Sequence, residues 1–351
     1  MRKVLFTLMG LAIIAAPAAA FHDGGVAHCN GCHTMHNSQD GGLVDPDSPN
    51  GNAFLLVDST PSDVCIGCHS HVDHVLGTDP LAPPPLKGAG NFVFLLEDNL
   101  NDGHGGATDP IPGDAAGHNL FAPGHGLAPD ATLTSAPGGT FPAAVLGCTS
   151  CHDPHGTTDF RFLYGARQVQ GGIATFTNPA PTAEGLSVFF GAESQALHTA
   201  YQGGMSAWCA NCHGDFHQEA GGRLEHPSGS ALGSVFQTYN LYNGTIDQLG
   251  GVAATAYLAE VPFEDATMTT TSTAGPTGSS QVSCVTCHRA HATSAPDAGR
   301  WDFSVTFLHE DGVESGSYPI PPPALANYED DNQRSLCNKC HNKDLHDENP
   351  F

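Results

Sequence analysis

Six times along this chain two cysteines stand two residues apart, with a histidine directly after the second. They are Cys29-Asn-Gly-Cys32-His33, Cys65-Ile-Gly-Cys68-His69, Cys148-Thr-Ser-Cys151-His152, Cys209-Ala-Asn-Cys212-His213, Cys284-Val-Thr-Cys287-His288 and Cys337-Asn-Lys-Cys340-His341. None of the twelve cysteines is left over. Two thiols at that spacing can each form a thioether with one vinyl group of a haem. The next residue then reaches under the macrocycle, where an imidazole binds the iron. Cys-x-x-Cys-His is the attachment signature of c-type haem. A structural zinc site would need such pairs close together, whereas successive motifs begin 36, 83, 61, 75 and 53 residues apart. A thioredoxin-like pair would occur once, beside a βαβ pattern. A disulfide framework gives no reason for a histidine after every pair. The residues therefore assign six covalent haem c groups, with His33, His69, His152, His213, His288 and His341 as proximal iron ligands.

The second axial ligand separates an electron carrier from an enzyme, because an iron with histidine on both faces has no vacant position. Of 21 histidines, fifteen remain after the proximal six, enough to close every iron. Methionine is scarce, and no Cys-x-x-Cys-Lys variant occurs; in multihaem nitrite reductases that variant marks the catalytic haem. Electron transfer is the favoured reading and an enzyme is not. Five motifs are followed closely by another histidine: His36, His71, His155, His217 and His291, at offsets of 3, 2, 3, 4 and 3 from the proximal residue. On a helix, offsets of 3 or 4 place both rings on one face. They cannot then flank one iron, so the second histidine must serve another haem. His118 and His226, each beside a turn-forming residue, are remote candidates. The distal set is read as His36, His71, His118, His155, His226 and His291, with His217 in reserve. His104, His125, His309 and His346 read as surface residues.

Those ligands must be positioned by a chain poor in large apolar residues: 18 Phe, 2 Trp, 42 Gly and 26 Pro among 351 residues. Porphyrins would supply the missing apolar surface, and thioether links would restrict the unfolded chain much as disulfides do. The expected fold is a multihaem cytochrome c, mostly coil with short helices and few short strands, wrapped round a linear haem stack. Leu81–Leu86, Asn101–Gly117 and Thr267–Ser280 read as surface loops. Residues 1–20 have the pattern of a cleaved export signal: Arg2 and Lys3, an apolar stretch, then Ala18-Ala19-Ala20. The rest, 21–351, reads as one elongated hexahaem domain carrying nine bases against 36 acids, a net −27. That charge argues against nucleic acid and against electrostatic docking on anionic lipid. No segment has the run of about 20 apolar residues that spans a bilayer.

Several stretches resemble the extracellular cytochrome filament family, the hexahaem outer-surface c-type cytochromes of metal-reducing bacteria. They are Phe21–Asn37, Ala136-Pro-Gly-Gly-Thr140 leading into Cys148–Gly156, Gly204–His213, Cys284–Ala292 and Arg334–His341. All six motifs match in order, over a shorter chain whose loss falls mostly between the third and fifth. The resemblance implies bis-histidine haems in a continuous stack. It also implies a secreted, cell-surface location and subunits that polymerise head to tail into conductive filaments. Redox partner cytochromes and external acceptors such as metal oxides would be the other partners. His36, at the N-terminal end of the haem chain, is expected to serve a neighbouring subunit. The resemblance points to the iron whose proximal ligand is His288. A monomeric periplasmic or cell-surface shuttle, and a multihaem reductase with one open iron, remain the alternatives.

Overall fold

The computed structural model describes residues 28–70, 75–77, 88–96, 100–101, 110–111, 115–186, 193–217, 228–243, 250–301, 303 and 336–341. The proposed export signal lies outside them. So do His71 and His226.

Four of the six attachment motifs form or contain short α-helices: α1 (Cys29–Cys32), α2 (Pro61–His69), α3 (Cys148–Cys151) and α6 (Cys284–Cys287). The fourth motif ends α4 (Met205–Cys209), and α5 (Val235–Leu241) is free of cysteine. The sixth motif opens on a 3-10 turn, Leu336–Lys339. One turn of helix suffices because residues three apart share a face, so both cysteines of a pair project to one side. In α1, α3 and α6 the histidine N–H closes that turn on the first cysteine carbonyl, at 2.9–3.0 Å. The histidine itself is already extended, with φ between −107° and −124°. The longer α2 starts on a dense cap: Thr60 Oγ1 accepts the Asp63 N–H, Pro61 holds the first position, and the Asp63 carboxylate accepts from Ser59, Thr60 and the Gly124 N–H.

Strands are minimal. β1 (Ser38–Gln39) pairs with β2 (Gly42–Leu43), β3 (Leu100–Asn101) with β4 (Pro110–Ile111), and β5 (Thr182–Glu184) with β6 (Ala200–Gly203), all antiparallel. Apolar side chains gather in separate clusters, one around Ile66, Phe92, Val93 and Phe94, another around Tyr239, Tyr257, Phe263, Trp301 and Leu336. Cysteines of the attachment motifs sit at the edges of these clusters. This is the coil-rich architecture expected of a chain whose large apolar bodies are not its own side chains. Thr267–Ser280 carries no helix or strand, as a loop should, though Met268 and Ser280 are buried.

Candidate functional site

All twelve cysteines are free of disulfides, and their mutual approaches run in strict chain order. The Cys32 thiol is raised by burial and by Cys68. Cys65 hydrogen-bonds to Cys148. Burial and the proximity of Cys212 push Cys151 up to about 12. Cys209 hydrogen-bonds to Cys284, and burial with Cys337 and Cys340 nearby pushes Cys287 up to about 12. Motifs two and three thus meet, as do four and five, while one lies near two, three near four and five near six. Cys65 and Cys209 each lie between the preceding and the following motif, near Cys32 and Cys148 and near Cys151 and Cys284. Whatever the motifs hold is laid out in a line.

The odd-numbered motifs share one device. A short turn some twenty or nine residues downstream lays its backbone against the motif, and a carbonyl within it meets Nδ1 of the proximal ring. The pairs are His33 with Phe54 O at 3.0 Å, His152 with Arg161 O at 2.7 Å, and His288 with Asp297 O at 2.9 Å. Flanking bonds repeat too: Thr34, Asp153 and Arg289 donate to Leu55, Phe162 and Ala298, while Val57, Tyr164 and Arg300 donate back to Cys32, Cys151 and Cys287. To aim its carbonyl inward, each turn puts two consecutive residues in the left-handed region: Phe54 and Leu55, Arg161 and Phe162, Asp297 and Ala298. None is glycine, although such a conformation costs an L-residue roughly 1–2 kcal/mol. Motif four obtains the same contact from far away, His213 Nδ1 meeting Pro137 O at 2.7 Å. The approach is so close that a Cβ at Gly139 would collide with the Cys212 carbonyl.

A ring nitrogen facing a carbonyl must donate, so these four imidazoles carry their proton on Nδ1 and keep Nε2 as a lone-pair donor. This is the tautomer a metal-binding histidine needs, fixed by its outer hydrogen bond. His118 has the same arrangement, Nδ1 to Ala290 O at 2.8 Å. These residues fit c-type haem.

Three candidate distal histidines lie opposite proximal ones. His155 faces His33 with ring centres 6.4 Å apart and planes 7° from parallel. His291 faces His152 at 6.4 Å, and His118 faces His213 at 6.0 Å. An imidazole nitrogen binds a metal at about 2.0–2.1 Å, with the ring centre roughly 1.1 Å further back, so two rings across one ion sit about 6.2–6.4 Å apart. The spacing suits an iron between them. Burial, together with its imidazole neighbours, lowers His118 and takes His291 to about 3, which keeps both rings neutral. The supporting frame is a stretch of motif five held on both sides: His291 N–H donates to Ala89 O, Asn91 N–H to Ala292 O, and His118 N–H to His291 O.

The histidines three residues after motifs three and five avoid their own iron for a different reason than a shared helix face. The chain leaves the helix at the proximal residue, which is itself extended, so no helix face joins the two rings. His36 is exposed beside Met35. Among the described residues neither His36 nor His288 has a second imidazole opposite it. The side chain of His217, the reserve candidate, lies outside the described residues. His198 was not singled out by any spacing; it is buried, and both its nitrogens meet carbonyls, Thr199 O at 3.0 Å and Ser272 O at 2.9 Å. Met205 and Met268 are buried in apolar clusters.

Cys-x-x-Cys-His turns in linear contact, Nδ1-anchored imidazoles and facing ring pairs define a multihaem c-type cytochrome. No protein-family model matches the chain. It is 31% identical to the C-type cytochrome OmcS of Geobacter sulfurreducens, over 97% of this chain and 99% of that one. The chain belongs to the OmcS family of c-type cytochromes. Its fold is similar to the outer membrane cytochrome S filament of Geobacter sulfurreducens, with a TM-score of 0.78 at 29% identity, over 92% of this chain and all of the other. Against the cryo-EM structure of OmcS nanowires the TM-score is 0.77 at 30% identity, with the same coverage.

Proposed function

We propose that residues 21–351, after removal of 1–20, form one elongated unit that holds six haem c groups. The unit carries electrons outside the cell as a head-to-tail polymer, as the filament and nanowire structures of OmcS do for that protein. Bound haem supplies a one-electron iron couple. The twelve cysteines tether it. His33 and His155 hold one iron, His152 and His291 a second, and His213 and His118 a third. His69 and His341 are the proximal ligands of two more, for which His71 and His226 are the distal candidates. Residues that close both faces of each iron leave no place for a substrate, so the chain is an electron carrier and not a reductase.

The observation that carries the polymer is a step of two motifs. The histidine after motif three serves motif one, and the histidine after motif five serves motif three. The same step taken from motif one leaves the molecule, and it lands on motif five of the next subunit. His36 and His288 are the two rings that this step pairs, and each lacks an imidazole opposite it among the described residues. Joining an N-terminal surface to a C-terminal one is a heterologous contact, which builds an open filament where its rotation does not close. Cytochromes would load the electrons, and external acceptors such as metal oxides would receive them.

His36→Ala tests this directly. The variant should keep six covalent haems by mass, show one five-coordinate iron in its ferric spectrum, and give no filaments by electron microscopy. Intact filaments with an unchanged spectrum would overturn the reading.

A further inference from the structure

Between motifs four and five lies a buried carboxyl that neither tethers nor ligates anything. Glu264 is 2% exposed. Its Oε1 accepts the Met205 N–H at 2.7 Å, while its Oε2 is buried without a hydrogen-bond partner. Met205 opens α4, which ends in the tethering Cys209. Ser206, the next residue, accepts the N–H of the other tether, Cys284, at 3.1 Å. Two consecutive residues of one turn therefore bind Glu264 and motif five. The Cys209 and Cys284 sulfurs, one from each motif, meet beside them. An ionised carboxylate with one bare oxygen is costly to bury, and a protonated one with nothing to receive its proton is also poorly satisfied. The site suits a group that changes state.

We infer that Glu264 is a redox-linked proton site, taking a proton from solvent onto Oε2 when an electron reaches the haems held by Cys209 and Cys284. The inference rests on the haem-bearing reading above. With haem bound, an electron from the donor chain would turn one ferric iron ferrous and lower the local positive charge by one. The carboxylate, having lost that charge, binds one proton and becomes neutral. Burial already raises the carboxyl above its ordinary range, against the lowering effect of the Met205 N–H bond; the Cys284 thiol adds to the rise only while it is untethered. The electron adds to a displacement that exists without it. Other groups facing this region do not titrate in step. Cys209 and Cys284 become neutral thioethers. Burial pushes Tyr201, whose carbonyl accepts the Asp265 N–H, up to about 12. Asp265 is held below the usual range by Ser280 and Thr267, despite its partial burial. Arg300 approaches through the Val285 carbonyl, at 2.6 Å.

The test is a spectroelectrochemical titration of assembled protein at a series of pH values, wild type against Glu264→Gln, which keeps an acceptor for Met205. In the wild type, part of the haem absorbance should show a midpoint that falls with pH, approaching one proton per electron, above the ordinary carboxyl range. That slope should vanish in the variant. An equal slope in both overturns the inference. Redox-difference infrared spectra of the wild type give a second reading that needs no variant. Reduction should produce a protonated-carboxyl carbonyl band, and a wild type without such a band also overturns it. Haem mass and spin state, measured on the same samples, report separately on the haem reading. Six low-spin haems with no proton linkage would sink Glu264 alone.

Discussion

A histidine that binds a metal has one nitrogen for the ion and one for the protein, and here the protein's choice is visible at five rings. His33, His118, His152, His213 and His288 all give Nδ1 to a backbone carbonyl. Replacing His118, His155 or His291 by alanine should convert one low-spin iron to a high-spin five-coordinate one, leaving six haems attached. Ferric spectra that stay wholly low-spin in all three variants would reject the pairings. Glu264 also bears on stability. Its folded pKa is raised above the ordinary 4.5, so the folded state binds the proton more tightly than the unfolded chain. The wild type should therefore lose stability relative to Glu264→Gln as pH rises through 4.5 and beyond, with the gap closing at lower pH. A constant gap in denaturant unfolding across that range would refute the shift. The candidate tethers and proximal rings are legible in the sequence because covalent haem attachment demands fixed neighbours. His118, His155 and His291 are candidates from offsets and turn-formers, but their partners are not legible, since the facing rings stand 95, 122 and 139 positions apart in the chain. His198 shows the limit: a spare histidine in the sequence is, in the fold, a buried residue bonded at both nitrogens.

Short turns rather than long helices carry the architecture, and two of them are clamped alike. Ser62 and Ser206 each stand three residues before the first cysteine of an even-numbered motif. Each accepts the N–H of the first cysteine in the following odd motif, at 3.1 Å. Ser62→Ala and Ser206→Ala should each cost about 1 kcal/mol by leaving that N–H unpaired. Because the two clamps lie in separate motif pairs, the double variant should lose about the sum. A denaturant midpoint unmoved in either single variant would show that the clamp contributes nothing. These clamps are legible only afterwards, since one serine in a short turn carries no signal. The left-handed turns were hidden more thoroughly. Phe54, Arg161 and Asp297 occupy a conformation in which sequence reading looks for glycine, so nothing marked them. A shared helix face is not what separates the second histidine from the first, because α1, α3 and α6 stop before it.

At the scale of the molecule, charge governs encounters. Nine bases against 36 acids leave residues 21–351 at −27, a field that draws cationic acceptors and repels anionic ones. Electron transfer from the reduced protein to a positively charged acceptor should slow as salt rises, since ions screen beyond about 10 Å at 0.1 M. A rate that is flat or rising with salt would count against electrostatic steering. That the described apolar side chains gather in separate clusters was legible from composition, as was the linear order of motifs. Which cysteines of neighbouring motifs approach each other was not, because it depends on how each turn is rotated.

The step of two motifs leaves a remainder. In a solitary molecule the iron above His288 would wait for a ring that only another copy can bring, so it would accept carbon monoxide. In a chain of many copies every such iron but one would be closed. Carbon monoxide bound per haem would then fall in inverse proportion to the number of subunits joined, and a gas titration would count filament ends.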